Sequence, residues 1–486
     1  AGGAPRNSFI NAGGPVLAMR WATQPRRPGE PDFHVLLVSA ATAGFRSANS
    51  RFSGEGAIQL WRLPVGEGKP SLAVALRHSS GAALDLQWRA DAAAPHTTKA
   101  QQPPPRAGLL AAAMSDGSVQ VFSVPRLAAD AAAAQVAVVR RARAALRIEL
   151  PGEEVPTCLS WFSPEEPIPD KEGPGNTAED SGAREARVEQ HPHLRLAAGS
   201  ANGVLRAWDL SKCTHSQDDG LALHSSGGLF REQAGCVNIN IRSVSFCPFN
   251  PDLIGMGGQD GFFKVWDIRE PYRPIFELRE VHSPMVAIKW LHNPLRVLVL
   301  SEAHGLVLLE LRSGKSAKIP SSRILPLSSM TDVDIPVALD AKRTDAAGGP
   351  KAVYATVTGF STGAIDVNRL ELGSLGARNV QRISSSASFS ARLVGGDPES
   401  VRFPPGKDLL KPVTGHVKKG RPKKGEVREK KAKVKKEKRA KKDPKEVESL
   451  LKASKVAISC VAWCPRSEWC VASASRGGVI RIQNLG

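Results

Sequence analysis

The stretch "GGQDGFFKVWDIREPYRP", Gly257 to Pro274, reads as a strand end, a tight turn, a second strand and a proline-stiffened exit. Gly261 marks the turn, because glycine accepts positive φ without a Cβ clash, and Asp260 is its usual partner. Beyond the turn, apolar residues alternate with period two, as in a half-buried strand. The strand closes on Trp266-Asp267.

The same pattern recurs along the chain. "GEGAIQLWRL" ends at Leu63, "LLAAAMSDGSVQVFSV" at Val124 and "LRLAAGSANGVLRAWDL" at Leu210. "RVLVLSEAHGLVLLEL" ends at Leu311, "VYATVTGFSTGAIDVNRL" at Leu370 and "WCVASASRGGVIRIQNL" at Leu485. With the opening stretch this makes seven copies, each with a glycine at the turn: Gly56, Gly117, Gly203, Gly261, Gly305, Gly363 and Gly478. Upstream of most copies a short apolar strand ends in an aromatic, at Trp21, Trp88, Trp161, Phe246, Trp290 and Trp463. Several of these run into a proline turn, such as "FCPFNPD".

Four short strands per unit, seven units and a Trp-Asp ending resemble the WD40 family. The resemblance covers nearly the whole chain and implies an all-β, seven-bladed β-propeller. The polar signature is degenerate, since only Asp209 and Asp267 complete a Trp-Asp pair. The family's buried network needs a His before the first strand and an Asp in the hairpin turn. His282 fits the first, but its own turn carries His304, and Asp260 fits the second without a His in "GCVNINIRSV". Stability is therefore expected mainly from apolar strand faces stacked blade on blade. The last copy lacks a fourth strand, and "NSFIN" (Asn7 to Asn11) is the candidate to supply it and close the ring.

The 486 residues carry 44 Gly and 36 Pro, which favours strands and turns over long helices. The seven Cys include no Cys-x-x-Cys pair, and free thiols in a reducing compartment are expected. No apolar run is long enough for a membrane helix, and the opening residues lack a signal-peptide core. They also lack Met, so a longer polypeptide is envisaged.

The formal net charge is +19, which suggests a polyanionic partner. Most of it is concentrated. Lys407 to Glu446 holds 18 Lys and Arg against six Asp and Glu. Such a segment repels itself and is expected to be a disordered arm, with a short helix starting at Asp443-Pro444. The chain accordingly divides into blades one to six (1–383), a Lys-rich insertion (384–454) and the last blade (455–486). Segments 89–108, 163–192 and 212–228 also have disorder-prone composition.

Within the arm, "HVKKGRPKKG" resembles an AT-hook around Gly420-Arg421-Pro422, with Lys419 standing where that family has Arg. An import signal or a linker touching phosphates non-specifically remains the alternative. The candidate nucleic-acid contacts are Lys418, Lys419, Arg421, Lys423, Lys424, Lys430, Lys431, Lys435 and Lys436.

No catalytic constellation is legible. "SGKS" (313–316) has Leu309 where a phosphate loop needs Gly. Cys460, Cys464 and Cys470 have no His at ligand spacing, and "HPH" (191–193) lies in a loop. A non-enzymatic binding scaffold, with no metal, cofactor, membrane or small-molecule substrate, is the expectation.

Two stretches are more specific. "INAGGPVLAMRW" (10–21) and "GGQDGFFKVWDIREPYRPIFELRE" (257–280) are similar to the propeller of the WD-repeat subunit of TFIIIC, the RNA polymerase III assembly factor. That resemblance implies a nuclear subunit that docks on a DNA-binding partner at tRNA-gene promoters. The propeller would contact protein, and the arm would add phosphate contacts. Neutralising ~6 phosphates makes affinity fall about 10³-fold between low and moderate salt. The alternatives are a ribosome-biogenesis scaffold binding pre-ribosomal RNA, and a chromatin reader gripping a histone tail.

Overall fold

The computed structural model describes residues 7–23, 33–41, 44–45, 47–65, 69–90, 106–127, 138–142, 144–164, 194–210, 240–279, 283–291, 295–302, 305–319, 330–334, 353–360, 364–373, 376–387, 457–465 and 470–484. Among them there is no α-helix, and the strands form seven sheets.

The first strand of the chain, β1 (Asn7–Asn11), belongs to the last sheet. Sheet I contains β2 (Val16–Ala22), β3 (Phe33–Ala40), β4 (Gly56–Pro64) and β5 (Ser71–His78). Sheet II contains β6 (Ala83–Ala90), β7 (Arg106–Met114) and β8 (Ser118–Pro125). Next comes β9 (Val138–Arg141), which returns to run parallel along β5, before β10 (Leu146–Glu149) completes sheet II. Sheet III has β11 (Pro156–Trp161), β12 (Arg195–Ser200) and β13 (Leu205–Asp209) among the described residues. Sheet IV is β14 (Ile241–Phe246), β15 (Leu253–Gly258), β16 (Phe263–Asp267) and β17 (Phe276–Leu278). Sheet V is β18 (Met285–Trp290), β19 (Arg296–Ser301), β20 (Gly305–Glu310) and β21 (Lys315–Lys318). Sheet VI is β22 (Met330–Asp334), β23 (Val353–Phe360), β24 (Ala364–Gly373) and β25 (Gly376–Ala387). Sheet VII is β26 (Ile458–Trp463), β27 (Cys470–Ser475) and β28 (Val479–Asn484), with β1 as its outer strand.

The inner strands touch in sequence from β2 through β6, β11, β14, β18 and β22 to β26, and β26 touches β2. The sheets thus form a closed ring, as a propeller does. The joint is made by both chain ends. Antiparallel pairing of β1 with β28 sets Asn7 opposite Gln483 and Asn11 opposite Val479. Packing between sheets is apolar. Ile10, Met19, Trp21, Leu36, Ile480 and Ile482 share one cluster between sheets VII and I. Ile58, Leu86, Leu110 and Phe122 share the next, between sheets I and II. Burying each such side chain contributes about 1.5–3 kcal/mol before entropy is counted.

Every inner strand also carries a β-bulge. The register skips one residue at Leu17, Leu84, Thr157, Arg242, Val286, Thr331 and Ser459. In six of the seven this residue stands four before the terminal aromatic identified from sequence. A bulge advances the period-two alternation by one step. The residues four and one before the aromatic, such as Arg242 and Ser245 in β14, therefore both border the central channel.

Polar groups on inner strands bond the next sheet. Leu159 N donates to Asp85 Oδ2 at 2.8 Å, Phe246 N to Ser160 Oγ at 3.0 Å and Ile288 N to Ser243 Oγ at 3.0 Å. The channel-side backbone, which would otherwise be an open edge, is capped this way.

Candidate interaction faces

The channel encloses about 750 Å³ and is bordered by the inner strands of sheets I to V and VII. Among the described side chains its charged lining is Arg20, Asp85, Arg242 and Lys289, with Arg20 Nη2 3.6 Å from Asp85 Oδ1. Arg242 also meets Glu302 at 3.5 Å. Asp332 and Asp334 occupy the positions in β22 equivalent to Asp85 and Gln87 by register.

One face of the ring carries the glycine turns. Gly117, Gly203, Gly261, Gly305 and Gly478 have φ of 89°, 83°, 76°, 78° and 87°. Gly56 differs from the expectation, because it is the first residue of β4 and has no positive φ. A Cβ there would collide with the Gly81 carbonyl and the His78 ring, so this glycine answers close backbone approach rather than a left-handed turn. Gly363 lies outside the described residues.

On the same face the β3–β4 connection leaves sheet I and bridges the channel mouth. Phe52 N donates to Ser115 O at 2.8 Å, and Arg51 Nη2 donates to Leu150 O at 2.7 Å, both in sheet II. Farther round, Asn240 Nδ2, just ahead of β14 in sheet IV, donates to Asn49 Oδ1 at 3.2 Å. Strand β25 ends and β26 begins on this face, so the Lys-rich segment between them is rooted here.

A polar cluster under this face holds His78, which the sequence reading did not single out. His78 is buried and pairs with Gly56, and Asp116 lies in the β7–β8 turn. Asp116 Oδ1 accepts from Ser118 N (2.9 Å) and Ser118 Oγ (2.6 Å), and its Oδ2 accepts from Arg147 Nη2 (3.0 Å). Neither His78 nitrogen has a hydrogen-bond partner among the described residues. Burial pushes the His78 pKa down, against the opposing pull of Asp116 and Glu55. His78, at the end of β5 in sheet I, feels the charge of Asp116 in the β7–β8 turn of sheet II, but no hydrogen bond joins them and Asp116 is satisfied by Arg147 and Ser118.

The opposite face carries the aromatic ends of the inner strands. Asp267 Oδ1 accepts from Arg269 N (2.9 Å) and Nε (3.0 Å), and Oδ2 accepts from Arg269 Nη2 (2.7 Å). Those hydrogen bonds hold the Asp267 carboxyl below the usual carboxylate range despite its burial. Arg269 Nε is also 3.4 Å from Asp252, which in turn receives Arg195 Nη1 of sheet III at 2.6 Å. The Trp-Asp element thus ties sheet IV to its neighbour. "SGKS" is the β20–β21 turn, with Ser313 Oγ on Glu310 at 2.7 Å, as expected for a strand end.

The nine candidate nucleic-acid residues, Lys418 to Lys436, lie outside the described residues, as do His282, His304, Cys213, Cys236, the 191–193 loop and the helix expected at Asp443. Cys158, Cys247, Cys460, Cys464 and Cys470 are free thiols, and burial pushes the Cys158 thiol up to about 12. Among the described residues no cluster of His, Cys, Asp or Glu has metal-site geometry, and no helix is long and apolar enough to cross a membrane.

Comparison with known proteins agrees with this architecture. The family model described as WD domain, G-beta repeat matches residues 445–484, which takes in β26 to β28. General transcription factor 3C polypeptide 2 of Homo sapiens and that of Pongo abelii are each 26% identical over 274 residues, 54% of this chain and 28% of the relative. The chain therefore spans under a third of the length of those relatives. Ribosome biogenesis protein WDR12 homolog of Nematostella vectensis is 33% identical over 81 residues, 17% of each. Sheet order, turn geometry and these similarities together identify the chain as a WD-repeat protein resembling a subunit of general transcription factor 3C, TFIIIC.

Proposed function

We propose that the chain is a non-catalytic WD-repeat scaffold of a nuclear, TFIIIC-like complex that supports assembly on RNA polymerase III promoters such as tRNA genes. The observation that carries this is the extent of the similarity, 274 residues and 54% of the chain, against 81 residues for the ribosome-biogenesis relative. The ring supplies the protein-contact platform. The Lys-rich segment contacts DNA through Lys418, Lys419, Arg421, Lys423, Lys424, Lys430, Lys431, Lys435 and Lys436. Its roots on the glycine-turn face would hold that DNA beside the bridged channel mouth.

Affinity purification of the tagged full chain from nuclei, read by mass spectrometry, tests the assignment. RNA polymerase III factors are expected. Ribosome-assembly factors in their place would transfer the reading to the alternative. Deleting 407–446 should flatten the salt dependence of DNA binding, and an unchanged slope would remove the arm as the contact.

A further inference from the structure

Sheet VII holds two cysteines in direct opposition. The register of β26 and β27 sets Trp463 opposite Val471, which places Cys464 opposite Cys470 at the next pair. Cys464 N donates to Cys470 O at 2.9 Å, so the two form a hydrogen-bonded cross-strand pair. Cα atoms in such a pair lie about 5.5 Å apart, within the roughly 4.4–6.8 Å that a disulfide spans.

Both side chains leave the same face of the sheet. Cys460, Ala462 and Cys464 on β26 and just past its end, and Cys470, Ala472 and Ala474 of β27, all belong to the apolar cluster between sheets VII and I. Successive residues of a strand point to opposite faces, and directly opposed residues share one. Cys464 is buried, whereas Cys470 is half-buried and so open to a small solute. Cys460 is not placed to compete. It stands opposite Ala474, four residues from Cys464, and its Sγ donates to the Leu17 carbonyl at 3.2 Å.

A hydrogen bond to Cys464, and then burial, push the Cys470 thiol above its ordinary pKa. The thiolate is the reactive form, so the pair rests as a dithiol near neutral pH.

We propose that Cys464 and Cys470 are a redox-modification site, which a peroxide converts to a disulfide that locks the β26–β27 hairpin at the joint of the ring. Hydrogen peroxide takes two electrons from the Cys470 sulfur, giving the sulfenic acid and one water. The Cys464 sulfur then attacks the Cys470 sulfur, the S–S bond forms, and the hydroxyl leaves with the Cys464 proton as a second water. The cross-link closes over the five positions 465–469, beside the Trp21 to Ala462 bond that joins sheets I and VII. The proposal does not depend on which complex the chain enters.

The test treats the full chain with hydrogen peroxide, blocks the remaining thiols under denaturing conditions and maps cross-linked peptides without reduction. A Cys464–Cys470 disulfide is expected, with Cys158, Cys247 and Cys460 still alkylated as thiols. The oxidised chain should melt a few degrees higher, and dithiothreitol should reverse the shift. Cys470→Ala, at the half-buried position, should abolish both the cross-link and the shift. Two thiols that stay alkylatable, Cys470 trapped as sulfinic acid, or either cysteine bridged to another partner would each overturn the proposal. So would a cross-link that leaves the melting temperature unchanged or lowers it, or a shift that persists in Cys470→Ala.

Discussion

The indole Nε1 of Trp21 donates to the Ala462 carbonyl at 3.1 Å, across 441 positions of sequence. The same bond recurs from Trp88 to Thr23 (3.0 Å), Trp161 to Gln87 (3.2 Å) and Trp290 to Ser245 (3.0 Å). Each joins the aromatic end of one inner strand to a backbone carbonyl of the sheet before it. Trp21→Phe should cost about 1 kcal/mol or more, because it leaves a carbonyl at the joint unpaired. Denaturant unfolding checks this against Trp61→Phe, whose indole bonds only to Gln59 two residues away. Equal losses would contradict the role of the joint.

Removing residues 1–11 strips β1 from β28 and exposes the buried Ile10 contacts. The melting temperature should drop by a few degrees, and an open strand edge should promote association. Differential scanning calorimetry with light scattering measures both, and an unchanged profile would contradict closure through the N-terminal strand.

Glycine replacements separate two physical causes. Gly56→Ala drives a Cβ into backbone and should cost about 2 kcal/mol or more. Gly152→Ala has φ +58° but open space around the new Cβ, so it should lose only the ~1 kcal/mol of a left-handed residue. The reverse ranking in chemical denaturation would refute the close-approach account of Gly56.

These positions show what the sequence discloses. The hairpin turns are local chemistry, with glycine at positive φ followed by period-two alternation, and Gly261 or Gly478 is legible without knowing the fold. Gly56 looks the same in sequence but owes its identity to Gly81, a non-local neighbour. The inner strand of sheet VI was hidden because the position corresponding to Trp463 is Ile335, and only the bulge at Thr331 reveals the equivalence. Strand β9 pairs in parallel with a segment more than sixty residues away, which leaves no local pattern. His78 was missed because it stands ten residues before Trp88, two more than His282 before Trp290.

His78 makes stability pH-dependent in one direction. Its folded-state pKa lies below the ordinary value of about 6.5, so the unfolded chain binds the extra proton first. Its contribution is complete above that range, declines as pH falls below about 6.5 and levels off below the folded-state value. His78→Gln should reduce the difference in unfolding free energy between neutral and mildly acidic buffer. A variant with the wild-type pH slope would exclude His78 as a source.

The functional claim is tested most directly by chromatin immunoprecipitation of the tagged full chain, read across all tRNA genes. The account predicts occupancy centred on those genes and coincident with RNA polymerase III. A chain that associates with chromatin without enrichment at tRNA genes, or that is confined to pre-ribosomal RNA in a parallel RNA crosslinking experiment, would contradict it.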